Sequence, residues 1–456
     1  MSGPVSSPQA QARRVSVATF IGSAVEWYDF FIYGTAAALV LNKVFFPEFD
    51  AAVGTILAFV TFAIGWLARP IGGLIAGHFG DRLGRKRMLV ITMLVMGIST
   101  FAIGLLPTYG QIGVAASILL LLARIAQGLA VGGEYGGSVV MALETAPKGR
   151  RGLWASMPQA GIPAGLVLGT GAFFVVASLP QAAFLEWGWR VPFLLSAVLV
   201  GVGLFVRLRI EESRTFQQVA GSEDDPKRIP AVEVLRNYKG RIVLLMLAHI
   251  APNSFFYLSA TFIIAYATGT GSYTSQQALA AVAIAAALEI FTIPLFAALS
   301  DRVGRKPVYI GGLIGLAILA FPFFLLVNTG SFGLLVLALI LVLSIAHAAV
   351  FGPQASFFSE LFPTSVRYTG LSMGYQIAGA LFGGPLPAIG TALVAVLAGA
   401  PWLFAGYLVL TALISIVGAA VLPQNRSDDV DALTKPSPAV SDRAARLDKA
   451  ARGIAG

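Results

Sequence analysis

The chain reads as an all-α polytopic membrane protein whose twelve transmembrane helices fall into two six-helix pseudo-symmetric halves, and three observations predict this. Of its 456 residues 57% are hydrophobic and only 12% charged, where a soluble domain carries roughly 25% charge. Apolar runs long enough to cross the hydrocarbon, about 20 residues each, lie near 17–42, 51–79, 88–106, 112–143, 153–178, 190–207, 241–268, 276–299, 308–327, 332–360, 369–396 and 400–422. The sequence D-R-x-G-R-K at Asp81–Lys86 returns at Asp301–Lys306, and Glu144 precedes Arg151 by seven residues as Glu360 precedes Arg367. The two offsets, 220 and 216 residues, nearly agree, which a basic loop arising by chance would not explain.

The placement of charge gives the orientation. Of the 31 Lys and Arg, all but Lys43, Arg69, Arg124 and Arg190 fall on one side if the N-terminus is cytoplasmic. The positive-inside bias therefore accounts for a net charge of +9 without nucleic acid. The expected order is a cytoplasmic segment 1–16, a six-helix bundle 17–207, a cytoplasmic linker 208–240, a second bundle 241–422 and a cytoplasmic tail 423–456. With no cysteine and three histidines, disulfides, thiolate chemistry and a His-rich metal site are excluded, and no cofactor is implied. The first span is too long for a cleaved signal peptide and holds Glu26 and Asp29.

In that first span Glu26, Asp29 and Tyr33 are spaced i, i+3, i+7 and share a face. The acids lie roughly 14–18 Å from the cytoplasmic end at 1.5 Å per residue, near mid-membrane. A charge there costs about 2.5–3.5 kcal/mol, so it is paired, protonated or facing water. A structural ion pair and a proton-carrying role are both open. The second span ends in a Gly-rich run in which Gly73 and Gly77 invite close helix packing. It also carries Arg69, twelve residues before Asp81; its repeat counterpart is Glu289, twelve before Asp301. The two could meet or each pair within its own half.

The fourth span places Arg124, Gln127, Glu134 or Tyr135, and Ser138 along one polar stripe. Arg124 is set to receive an anion or to neutralise Glu26 or Asp29. The fifth carries Gln159 between Pro158 and Pro163, which should bend it, and Trp187 and Trp189 are expected at the interface before the sixth. In the second half the seventh span offers His249, Asn253 and Tyr257, the tenth Ser344, His347 and Gln354, and the eleventh Tyr375 and Gln376. A lone membrane histidine reads here as a satisfied hydrogen-bond donor.

No GxSxG, HExxH, CxxC or nucleotide-binding loop occurs, which speaks against an enzyme and against ATP as the driving force. Internal duplication argues against a channel built from rings of repeated residues, and no sizeable soluble signalling domain is evident. A buried carboxylate takes up a proton more readily, and a neighbouring arginine opposes this. An anion that engages the arginine would release the carboxylate to bind a proton. Glu26, Asp29, Glu134 and Glu289 are the proton-coupling candidates. Arg69, Arg124, Tyr33, Gln127, Tyr135, Gln159, Asn253, Tyr257, Tyr375 and Gln376 are the substrate-binding candidates.

The two halves with D-R-x-G-R-K after spans 2 and 8 resemble the major facilitator superfamily over about residues 15–425. The segments EWYDFFIYG (26–34), RPIGG (69–73), GHFGDRLGRKR (77–87), RIAQGLAVGGEYGG (124–137), WGWRVPF (187–193) and RLRIEES (207–213) together resemble its metabolite:proton symporter group. That group includes carriers of shikimate, α-ketoglutarate, citrate and proline or betaine. The resemblance implies alternating access, proton-coupled uptake of a small organic acid, and a location in the cell membrane; compatible-solute uptake is the alternative. It also implies a cytoplasmic latch built from Asp81, Arg82, Gly84, Arg85, Lys86 and Glu144, repeated as Asp301, Arg302, Gly304, Arg305, Lys306 and Glu360. The second copy departs from the first, with Ala297 where the first has Gly77 and Pro307 where it has Arg87. The implied partners are a small organic acid or zwitterion, protons and the lipid bilayer, acting on a monomer. Two buried arginines suit an acid better than a drug-like cation.

Overall fold

The computed structural model describes residues 8–83, 85–132, 134–147, 149–208, 230–363 and 366–423, with the side chains at 8–11, 74, 76–87, 89, 134–135, 206–208 and 230–232 outside the description. Among the described residues twelve long helices form the bundle and no strand occurs. They are α1 (Pro8–Leu39), α2 (Ala51–Leu83), α3 (Arg85–Leu105), α4 (Val114–Glu144), α5 (Arg151–Val176) and α6 (Val191–Leu208). The second half supplies α7 (Lys239–Gly269), α8 (Ser275–Val303), α9 (Arg305–Val327), α10 (Phe332–Ser359), α11 (Arg367–Val396) and α12 (Trp402–Val421). Among the described residues eleven helices carry a stretch long and apolar enough to cross a membrane, and α3 contributes the apolar stretch Val90–Leu105.

Packing repeats between the halves. In the first half α1 lies on α5, α2 on α4 and α3 on α6; in the second α7 lies on α11, α8 on α10 and α9 on α12. The halves meet along α2 against α11 and α5 against α8, related positions of the repeat. Small residues permit this closeness. At the α2–α4 crossing a Cβ added to Gly128 would stand 2.1 Å from the Gly65 carbonyl oxygen, so the two backbones touch.

Several expectations need correction. Helix α1 begins at Pro8, before residue 17, since PQAQARR contains good helix formers. The stretch 208–240, expected to be a linker, contains a short helix at Pro230–Asn237 whose Val234 is buried. Residues 209–229 and 424–456 lie outside the description, as do 1–7. Trp189 is not an interfacial residue: it is fully buried, edge-on to Phe45 and Phe193, whereas Trp187 is half exposed. Arg190 donates to the carbonyls of Gly104 (2.8 Å) and Leu106 (2.6 Å), satisfying the C-terminal end of α3.

Three wide π-helical turns interrupt second-half helices at Leu258–Phe262, Ile340–His347 and Gly379–Gly383. Each of them shifts the register of the side chains beyond it, which is how such turns re-aim residues within a helix.

Candidate functional site

Helix α1 supplies the acids at the centre of the first half. Asp29 is fully buried, and its Oδ2 accepts a hydrogen bond from the Thr100 hydroxyl at 3.2 Å while Oδ1 has no hydrogen-bond partner. Thr100 in turn accepts from Gln127 Nε2 at 2.9 Å, and Gln127 Oε1 accepts from Arg124 Nη1. A chain of hydrogen bonds thus runs from Arg124 on α4 through Gln127 and Thr100 on α3 to Asp29 on α1. Gln127 Nε2 also points at the Asp29 carbonyl, 3.4 Å away.

Of the two roles open to Arg124, receiving an anion or neutralising Glu26 or Asp29, the second is not taken up here: among the described residues it forms no ion pair with either acid. Its guanidinium donates to the Phe62 carbonyl at 3.3 Å and lies 3.9 Å over the Tyr33 ring, with Phe30 and Phe62 farther off. Arg69 is equally buried and is held by rings: its guanidinium sits 3.8 Å over Trp66, 4.4 Å over Phe30 and 5.2 Å over Trp27. Such stacking partly replaces lost hydration of the cation. Neither arginine is in an ion pair among the described residues, and Nε of each lacks a hydrogen-bond partner. Glu26, also buried, lies within electrostatic reach of Arg69 and Tyr375. Tyr33, on the same face as the acids, shares a 2.5 Å hydrogen bond with Thr61.

The second half forms the opposite wall. Tyr257 packs edge-on to Phe30, Phe62 and Trp66 across the interface and is within electrostatic reach of both arginines. Asn253 donates to the His249 carbonyl, and Gln376 donates across the halves to the Gly132 carbonyl at 3.2 Å. Gln159 of α5 likewise reaches the Phe351 carbonyl on α10 at 3.3 Å. Glu289 does not approach Arg69; it bonds His347 within its own half, with Oε1 2.6 Å from Nδ1. The side chains of Glu134 and Tyr135 lie outside the description.

Between the walls is a cavity of about 10 Å³, bounded by Trp27, Asn253, Phe256, Tyr257, His347 and Tyr375 among others. That is room for about one water. The site residues that sequence reasoning missed are Thr100, Thr61 and the rings Trp27, Phe30 and Trp66, while His347 reads in the sequence only as a satisfied hydrogen-bond donor. Trp66 stands three residues before Arg69, a spacing that puts both on one face and was a usable signal.

At the end bearing the repeated motif, Asp301 reaches from α8 to the first turn of α5, accepting the Gly152 N–H at 2.8 Å and the Leu153 N–H at 3.0 Å. Arg305 lies 2.7 Å from Glu360, 3.6 Å from Asp301, and donates to the Ser356 hydroxyl. Arg151 of the first half acts electrostatically on Glu360, and Arg367 of the second acts on both Glu144 and Glu360, so charges from the two halves meet at this end. Burial pushes the Glu360 carboxyl up to about 7, with Arg305 opposing. Lys306 donates to the carbonyls of Ala420 and Leu422, Arg302 is exposed, and Gly304 takes φ +100° between α8 and α9. In the first copy Gly84 and the side chains of Asp81, Arg82, Arg85 and Lys86 lie outside the description.

Comparison with known proteins agrees with this architecture. The family model of the Major Facilitator Superfamily matches residues 19–384 and 253–452. The shikimate transporter of Escherichia coli (strain K12) is 41% identical over 419 residues, 91% of this chain and 96% of that protein. The proline/betaine transporter of the same organism is 36% identical over 376 residues, 80% of this chain and 75% of its own. A solved proton:xylose symporter bound to 6-bromo-6-deoxy-D-glucose superposes with a TM-score of 0.72 over 94% of this chain and 100% of that one; at 17% identity this speaks to the fold alone. The chain is thus a multi-pass membrane transporter that belongs to the major facilitator superfamily and is similar to its metabolite:proton symporter group.

Proposed function

We propose that this protein takes up a small organic acid, a dicarboxylate or shikimate-like acid, together with a proton, by alternating access in the cell membrane with both termini cytoplasmic. The carrying observation is the hydrogen-bonded chain from Arg124 to Asp29. A guanidinium without a carboxylate partner attracts an anion, and the linked acid with a free oxygen accepts a proton. An anion drawing Arg124 towards itself loosens Gln127 and Thr100 and raises the proton affinity of Asp29. Glu26 and Glu289 are further proton-coupling candidates, as is Glu134. The similarity to a shikimate transporter favours an acid. The motif residues then act as a latch that holds the cytoplasmic end shut, and a monomer contains every part needed.

A second reading, uptake of proline or glycine betaine, is favoured by the aromatic lining of the central cavity. Trp27, Phe256, Tyr257 and Tyr375 offer ring faces on which a quaternary ammonium could rest. The test is purified protein in proteoliposomes with an imposed inward proton gradient, offered labelled shikimate, α-ketoglutarate, citrate, proline and glycine betaine. Accumulation of an acid that collapses with a protonophore is the expected result. Accumulation of betaine or proline alone would replace it with the second reading.

A further inference from the structure

His347 and Glu289 make a second polar site, in the opposite wall from Asp29. His347 closes the wide turn Ile340–His347, and its ring stacks near Phe256 at 5.3 Å and Phe351 at 4.9 Å while lining the central cavity. Nδ1 is engaged by Glu289 at 2.6 Å, the two side chains being 1% and 0% exposed. Nε2 of the histidine and Oε2 of the glutamate are both buried with no hydrogen-bond partner. A buried imidazole nitrogen without a partner is costly, and here it belongs to a ring on the edge of the space where a substrate must sit.

We propose that His347 binds the carboxylate of the transported solute through Nε2, with Glu289 as the positioning residue that keeps the other nitrogen protonated. This rests on the reading of the chain as a proton-coupled carrier of a carboxylate-bearing solute. With Nδ1–H donated to Glu289, a neutral ring presents a lone pair at Nε2, which repels an anion. A proton arriving at Nε2 turns that position into a charged donor and leaves Nδ1–H on Glu289. Proton and carboxylate therefore each favour the other's binding. The titratable groups facing the pair are His249 and Tyr257 from α7 and Tyr375 from α11; Gln159 of α5 and Trp27 of α1 carry no charge. His249 is itself bonded through Nδ1 to Gln354 at 3.1 Å.

The chain has three histidines, His78, His249 and His347, so ¹⁵N-histidine NMR of the full protein in nanodiscs resolves each after assignment with single glutamine variants. The expected result is that the His347 Nε2 resonance moves on adding shikimate, glycine betaine or plain benzoate, whichever the carrier accepts. In proteoliposome counterflow, His347→Gln should cut the ratio of shikimate affinity at pH 6 to that at pH 8.5 by about tenfold, the size of a typical coupling factor. Glu289→Gln should flatten the same profile and Glu289→Asp restore it, which a merely structural role would not do. A His347 resonance unmoved by all three carboxylates, or a wild-type pH profile in His347→Gln, overturns the proposal. Transport of betaine without shikimate would sink the organic-acid reading alone, and the betaine titration then decides on His347.

Discussion

Asp29 and Arg124 are joined without touching, because Gln127 and Thr100 stand between the carboxylate and the guanidinium. The Thr100 hydroxyl has one proton and two acceptors within reach, Asp29 Oδ2 at 3.2 Å and the Met96 carbonyl at 2.9 Å. An ionised Asp29 accepts the hydrogen bond that this hydroxyl donates. A protonated Asp29 can donate to Thr100 and turn the hydroxyl towards Met96. The middle of the chain therefore changes polarity with the protonation of its end, which gives a physical path between an anion at Arg124 and a proton at Asp29.

Asp29→Asn removes the titrating group but keeps a polar side chain for Thr100. Exchange of labelled for unlabelled substrate across the membrane should persist, while gradient-driven accumulation should fall to the equilibrium level. Measuring both in one vesicle preparation checks this. Loss of exchange as well as accumulation would assign Asp29 a structural role.

Arg124→Lys should weaken substrate binding about tenfold or more, since an ammonium cannot both fork to Gln127 and Phe62 and lie flat on Tyr33. Isothermal titration in detergent reads the affinity. An unchanged affinity would mean that the guanidinium does not meet the substrate.

Gly128→Val should lower thermal stability sharply. Its Cβ would stand 2.1 Å from the Gly65 carbonyl and 2.9 Å from the Ala68 side chain, and overpacking of this kind costs about 1–3 kcal/mol or more. Gly171→Ala on α5 has nothing within 4 Å of the added carbon. It should be neutral or raise stability by up to about 1 kcal/mol through helix propensity. Thermal unfolding of the two variants in one detergent provides the comparison.

The bundle was legible in the sequence because apolar length and basic loops report directly on crossing, and the charges at Asp29, Arg69 and Arg124 stood out in apolar helices. What each charge faces was not legible. The stacking of Arg69 on Trp27, Phe30 and Trp66 depends on how α1 and α2 cross, and aromatic residues in an apolar helix look like ordinary core. His347 read as a satisfied donor; the wide turn that ends at it carries no sequence mark, and the Glu289 contact spans 58 residues. The electrostatic reach of Arg151 to Glu360 and of Arg367 to Glu144 across the halves also needed both halves in place.

Glu360 makes the pH dependence of the closed motif end predictable, and with a sign opposite to a simple salt-bridge argument. Arg305 at 2.7 Å favours the ionised form, yet burial outweighs it and the carboxyl titrates at about 7, above the ordinary glutamate value of 4.5. The folded protein therefore holds a proton that the unfolded chain releases between these values. Linkage makes the resulting stability fully present below pH 4.5 and lost as the pH rises through 7. Between pH 5 and 8 the melting temperature should fall more in the wild type than in Glu360→Gln, whose amide keeps the shape without titrating. A thermal-shift series in detergent across that range reads the difference. Parallel curves for the two proteins would place the titration elsewhere, and a wild-type curve that rises with pH would mean that Arg305 outweighs burial.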